Sequence, residues 1–258
     1  MSSVTIVDAV ILMAGVGSRL GARMGVIAKP LVPIAGRPLI SYTFAALESV
    51  GVRRVHAIMG ATSERLAAEL VPLLPPGMRL NTIVNPDWQK QNGVSVLCAA
   101  GEVDAPFFLT MGDHLFEPAI LETLLGQADR ARLNLAVDRK IESIFDLADA
   151  TKVQTEGRRI VAIGKELQDY DAIDTGVFLC AGSIFDSLHR AQRHGDCSLS
   201  DGVRLMAAEG NAHAIDIGEA WWQDVDTPEM LQRAEEESAC LLRNGRGRLS
   251  QESIARES

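Results

Sequence analysis

The chain has 258 residues, is 47% hydrophobic and carries a formal net charge of −9. That much apolar material builds one large domain or two small ones. An acidic balance with scattered Arg and Lys excludes a general nucleic-acid surface, so an anionic partner must meet local positive charge.

In chain order, DAVILMA (Asp8 to Ala14) predicts a buried strand, followed by a loop rich in Gly, Arg and Lys that runs to Lys29. GRPLISYTFAALESVG predicts a helix with Pro38 near its start and Gly51 just past its end. RRVHAIMG, RLNTIVNP and PFFLTMGD predict strands, with SERLAAELVPLL and GVSVLCAAGEV as the helices between them. PAILETLLGQADR predicts a helix and LNLAVDRK a strand. This alternation predicts a mostly parallel α/β sheet with helices on both faces. From Thr151 the rhythm changes. TKVQTEGRRIVAIGKEL predicts a hairpin turning at Glu156-Gly157, and IDTGVFLC another strand. SIFDSLHRAQ and SDGVRLMAAEG predict helices, NAHAIDIG a strand, and a long helix runs from Pro228 towards Leu242. One domain is expected over residues 1–243, with a polar, mobile tail over 244–258.

Four cysteines, Cys98, Cys180, Cys197 and Cys240, stand far apart without a CxxC pair, which argues against structural zinc and fits a reducing cytoplasm. No secretory leader is expected ahead of the first strand, since no n-region, h-region and cleavage site are seen, and no apolar run approaches membrane-spanning length.

The glycine loop MAGVGSRLG follows a strand, as a dinucleotide fingerprint would. Its spacing is G-x-G-x-x-x-G, however, and the second strand ends in His56, Ala57, Ile58 and Met59 without a ribose-binding acid. It is not a P-loop, since no GK[ST] follows. The loop reads as a phosphate cradle in which small residues open the backbone N–H groups and Arg19 and Lys29 supply charge. The competing reading is a solvated surface loop.

Asp113 follows an apolar strand, at the edge where open α/β sheets collect ligands. A carboxylate there suits Mg²⁺, which shares oxygen ligands with phosphates, or else serves as a turn or cap residue. Asp224 and Asp226 in WWQDVDT are two apart, so an extended segment points both one way. Asp226 with Thr227-Pro228 also makes a good helix start. The five histidines contain no i,i+4 pair and suggest no transition-metal site, and no G-x-S-x-G elbow occurs.

AGVGSRLG…KPL resembles the signature of the sugar-nucleotide type nucleotidyltransferases, in which a G-x-G-[ST]-R loop and a later Lys-Pro hold the nucleoside triphosphate. The resemblance runs from the first strand to the neighbourhood of Glu235. TMGDHLF, VDRK, ATKVQ, IGKELQDYDAIDTGVF, LSDGV and WWQDVDTPEM are most similar to the branch of CTP:inositol-1-phosphate cytidylyltransferases. Some members of that branch are fused to a membrane-embedded CDP-alcohol transferase domain, a half that these 258 residues do not contain.

The resemblance implies a Rossmann-like nucleotidyltransferase fold with a small β-hairpin subregion for the acceptor. It implies CTP contacts at Ala14, Gly15, Gly17, Ser18, Arg19, Lys29 and Asp113, with Asn92, Gly93 and Ser95 reading the nucleobase. Arg19, Lys29 and Asp113 become the catalytic set, and Mg²⁺ sits on Asp113 with Asp224 or Asp226, which the sequence leaves open. Asp138, Arg139, Lys152, Lys165 and Asp174 become the acceptor set for inositol 1-phosphate, each of them alternatively a solvated hairpin charge. The acceptor phosphate would attack the α-phosphorus of CTP in line and release pyrophosphate. Other acceptors are phosphocholine, an aminoalkyl phosphonate or a sugar 1-phosphate. Only 5% of residues are aromatic, which disfavours a choline cage. A nucleotide-sensing domain without turnover is the reading of another class. No nucleic acid or membrane partner is expected, the location is cytoplasmic, and a homodimer is one state the sequence allows.

Overall fold

The computed structural model describes residues 6–14, 28–60 and 63–237. The strand predicted at the N-terminus is β1 (Asp8–Met13), buried along its whole length. A small hairpin of β2 (Pro33–Ile34) and β3 (Arg37–Pro38) leads into α1 (Leu39–Ser49). Pro38 sits at its N-cap with φ −55°, in line with proline's preference for the helix start. β4 (Arg54–Met59), α2 (Ser63–Leu70), β5 (Arg79–Val84), α3 (Asn92–Leu97) and β6 (Phe107–Met111) continue the alternation.

The helix expected to reach Val103 stops earlier. After Leu97 the chain tightens into turns with three-residue bonds, Ala99 N–H to Val96 and Ala100 N–H to Leu97. β7 (His114–Phe116), α4 (Pro118–Gln127), β8 (Leu133–Asp138), β9 (Lys152–Glu156), β10 (Arg159–Gly164) and β11 (Ala172–Cys180) follow. The last elements are α5 (Ser183–Ala191), α6 (Leu199–Ala208), β12 (Ala212–Asp216), β13 (Trp222–Asp224) and α7 at residues 228–237. A capping box starts α6: Ser198 accepts from the Asp201 N–H while Asp201 accepts from the Ser198 N–H. The tail expected over 244–258 lies outside the described residues.

Nine strands form one sheet in the order β5-β4-β1-β6-β11-β8-β12-β10-β9. The parallel expectation holds for β5-β4-β1-β6 and for β8 with β12. β11 enters between β6 and β8 antiparallel to both, which makes the sheet mixed. The hairpin turning at Gly157 is β9–β10, and β9 also pairs back onto the start of β11. Pairings β11-β8-β12-β10-β9 therefore close on themselves.

The period-two alternation of a strand divides β1 between two cores. Val10 and Leu12 join a cluster with Ile58, Leu109 and Phe178 on one face. Ala9, Ile11 and Met13 join Val55, Met59 and Phe108 on the other. Removing one fully buried aromatic such as Phe108 costs about 3–5 kcal/mol, so both faces fix the strand ends on which the site is built.

Candidate active site

A cleft of about 490 Å³ opens beyond the carboxyl ends of β1 and β6 and is lined by residues from both halves of the chain. Its centre is a short antiparallel ribbon. β7 pairs with β13, placing Asp224 opposite His114 and Trp222 opposite Phe116. Immediately beyond, the Val225 N–H donates to the Asp113 carbonyl at 2.9 Å. This ribbon carries Asp113 and Asp226 to one place although they lie far apart in sequence.

Lys29, at the start of a single 3₁₀ turn with Pro30, completes the group. Its Nζ donates to Asp113 Oδ2 at 3.1 Å and also to Asp226 Oδ1. Burial works against the ammonium, but the Asp113 and Asp226 carboxylates outweigh it and raise its pKa. Burial likewise works against the Asp113 charge, yet His114 and Lys29 hold that carboxyl well below the usual carboxylate range. His114 Nδ1 lies 2.9 Å from Asp113 Oδ1. Its ring stacks on Trp222, with centroids 5.9 Å apart. Burial pulls the His114 pKa down, and the bond to Asp113 more than reverses that, so the net shift is upward.

Two hard carboxylates converging on one cation form the donor set that Mg²⁺ uses, with phosphate oxygens and water completing its shell. Asp113 and Asp226 fit that role because both already meet at the Lys29 ammonium. Asp224 is turned to the neighbouring amide, its Oδ1 accepting from Gln223 Nε2 at 2.9 Å. Burial, with the Asp226 and Asp113 charges, pushes the Asp224 pKa up. Among the described residues no group of three His, Cys, Asp or Glu side chains forms a protein-only metal cage.

Of the residues expected at the nucleotide, Ala14, Asn92 and Ser95 line the cleft. Asn92 Oδ1 accepts the Leu199 N–H at 2.8 Å, and Ser95 accepts from Asn85 at 3.0 Å. Gly93 packs beneath: a side-chain carbon there would meet the Cys197 carbonyl oxygen at 2.6 Å, so the close approach of α3 to the loop before α6 requires glycine. Gly15, Gly17, Ser18 and Arg19 lie outside the described residues.

On the opposite wall, Asp138, Lys165 and Asp174 line the cleft. Asp138 is 3% exposed; it accepts from the Lys140 backbone at 2.8 Å and from Trp222 Nε1 at 3.1 Å. Lys165 pairs with Asp149. Asp174 accepts the Gly176 N–H at 2.7 Å, and burial pushes its carboxyl up to about 6. The structure does not bring Arg139 and Lys152 to this wall. Arg139 is drawn to Asp171 and Thr155, and Lys152 donates to the Ala148 and Lys165 carbonyls, because each finds acceptors in or beside the hairpin. Lys140, Trp88, Phe145 and Arg233 line the cleft as well. Of these only Lys140, beside Arg139 at the end of a predicted strand, had a sequence signal.

The fold and this cleft define a nucleotidyltransferase. The family model of the MobA-like NTP transferase domain matches residues 9–195, and the chain belongs to that family. It is 36% identical over 229 residues to the bifunctional IPC transferase and DIPP synthase of Thermococcus kodakarensis, a match covering 88% of this chain and 49% of that protein. It is 34% identical over 242 residues to the CMP-5'-(3-aminopropyl)phosphonate synthase of Streptomyces rubellomurinus, with 86% and 37% covered. The inositol-1-phosphate CTP transferase from T. maritima superposes with a TM-score of 0.79 at 25% identity, covering 91% of this chain and 98% of that one. The chain spans about half the length of the curated bifunctional relatives it matches.

Proposed function

We propose that the protein transfers CMP from CTP to inositol 1-phosphate, giving CDP-inositol and pyrophosphate. The observation that carries this reading is one cleft lined by two chemically distinct sets: Asp113 and Asp226, both paired with Lys29, and Asp138, Lys140, Lys165 and Asp174. The similarity to IPC transferases and to the T. maritima CTP transferase supports it.

The acceptor's phosphate oxygen attacks the α-phosphorus of CTP in line. A new P–O bond forms, the bond to the β-phosphate oxygen breaks, and pyrophosphate leaves. The nucleophile is already anionic, so no general base is needed, and catalysis is positioning plus charge neutralisation. Lys29 meets phosphate charge at the transferring group. Asp113 and Asp226 would hold Mg²⁺, which supplies charge neutralisation on the phosphates. His114 orients Asp113 through the 2.9 Å contact. Lys165 and Lys140, the latter held by the Gly218 and Ala220 carbonyls, supply positive charge for the acceptor phosphate, while Asp138 and Asp174 accept hydrogen bonds from its hydroxyls. Ala14, Asn92 and Ser95 border the nucleotide. Thiols at Cys98, Cys180 and Cys197 suit a reducing compartment such as the cytoplasm.

A second reading has one observation behind it. The cleft is also lined by Asp146, Glu219 and Asp224, carboxylates that suit an acceptor bearing an ammonium, and an aminoalkylphosphonate synthase is among the relatives. Released pyrophosphate decides between the two. CTP, ATP, GTP and UTP are each offered with inositol 1-phosphate, 3-aminopropylphosphonate and phosphocholine. Highest kcat/KM is expected for CTP with inositol 1-phosphate; equal values, or preference for an amine acceptor, overturn the inositol reading.

A further inference from the structure

Among the described residues, the large hydrophobic side chains left exposed are Val71, Val84 and Phe145. Phe145, 48% exposed, is the one of these that lines the cleft. It lies on the long connection between β8 and β9, whose residues Ser143, Ile144, Asp146 and Asp149 line the cleft beside it.

That connection is tied down along its length. Arg233 Nη2 donates to the Ser143 carbonyl at 3.0 Å, and the Arg233 guanidinium lies over the Phe145 ring, 5.7 Å from its centroid. The Ala150 N–H closes a turn onto the Asp146 carbonyl at 3.0 Å, and Lys165 pairs with Asp149. One side chain on α7 thus fixes both the backbone and the ring. An exposed phenyl that is held still, rather than folded into a core, is a preformed flat apolar surface in a cleft that also presents the carboxylates of Asp146 and Asp174 and the rings of Trp88, Trp221 and Trp222.

We infer that Phe145 is a specificity-determining platform for a cyclic polyol, and that Arg233 is its positioning residue. A polyhydroxylated six-membered ring is amphipathic in a particular way. Its hydroxyls project mainly round the rim, and its faces present C–H bonds. Phe145 matches the face, and the carboxylates at Asp146 and Asp174 match the rim. An open-chain aminoalkyl acceptor has no such face. This inference rests on the inositol reading given above and names the side chain that selects the ring.

The test separates KM from kcat in Phe145→Ala, Phe145→Leu, Phe145→Tyr, Arg233→Ala and Arg233→Lys, each checked for an unchanged melting temperature. Phe145→Ala is expected to raise the KM for inositol 1-phosphate about tenfold, the size of one aromatic contact, while kcat and the CTP KM stay near wild type. Phe145→Tyr keeps the wild-type KM, and Phe145→Leu, apolar but without a flat face, does not. Arg233→Ala raises the same KM about threefold through a freed ring, and Arg233→Lys recovers part of it. An unchanged acceptor KM in Phe145→Ala, or full function in Phe145→Leu, overturns the platform. Wild-type protein that turns over 3-aminopropylphosphonate but not inositol 1-phosphate overturns the acceptor reading and the platform with it. Wild-type protein that releases no pyrophosphate with any acceptor overturns the transferase reading itself.

Discussion

Gly176 and His114 share one space: a side-chain carbon on Gly176 would stand 2.6 Å from His114 Nε2. Gly176 sits where the β11 register shifts against β8, with φ +72°. The imidazole is thereby confined on three sides, by Asp113 at Nδ1, by the face of Trp222 and by the β11 backbone.

Gly176→Ala is therefore expected to destabilise the protein and to impair it. The left-handed backbone alone costs an L-residue about 1–2 kcal/mol, and displacement of His114 adds to that. The melting temperature should drop, and turnover of the still-folded fraction should fall as Asp113 loses its partner. Wild-type melting together with wild-type turnover would exclude the confinement.

Lys29→Ala should lower turnover at least about a hundredfold in a folded protein, because one preorganised charge at the transferring phosphate is worth a few kcal/mol in the transition state. Circular dichroism checks the fold and pyrophosphate release the rate. Near-normal turnover would remove Lys29 from the chemistry.

A metal titration distinguishes the carboxylates. Asp113→Asn and Asp226→Asn should each need more Mg²⁺ for half-maximal rate and reach a lower maximum. Asp224→Asn should shift the titration less, since its carboxylate is engaged by Gln223. A titration moved only by Asp224→Asn would reverse the assignment.

Asp174 ties stability to pH. Its carboxyl, pushed from 3.8 up to about 6 by burial, keeps its proton longer in the native state than in the unfolded chain. The native state then binds more protons between those values, so stability falls as pH rises through that window. Asp174→Asn retains an acceptor for the Gly176 N–H and carries no charge. It should be more stable than wild type at pH 7 by on the order of 3 kcal/mol, with the difference closing below about pH 4. Urea unfolding at several pH values measures it; a difference that does not vary with pH would show that Asp174 titrates normally.

Much of the sheet was legible because its strands are continuous apolar runs: DAVILM and FFLTM sit between two cores and read as strands without help. The antiparallel entry of β11 was not, since IDTGVFLC carries no mark of strand direction. Asp113 was readable from its place after an apolar strand. The choice of Asp226 to meet Lys29 depended on the β7–β13 ribbon, two three-residue strands too short for periodicity to register. Arg139 and Lys152 illustrate the reverse. Charge at a strand end suggested a ligand, and the hairpin supplied partners within the protein instead. Phe145 and Arg233 lie on a connection and a helix with no motif, and only the folded chain brings them together.

The Lys29–Asp226 contact joins positions 197 residues apart, and the Lys29–Asp113 contact spans 84. Such long-range pairings close late, after the chain entropy of the intervening segments has been lost. A ribosome-bound chain that has emerged as far as β12 contains every strand of the nine-stranded sheet but not yet the segment carrying Asp226. The charge trio can form only once the segment carrying Asp226 has emerged, so the sheet that frames the cleft can be complete before the cleft has its chemistry, and pyrophosphate release is expected only from chains extended past β13.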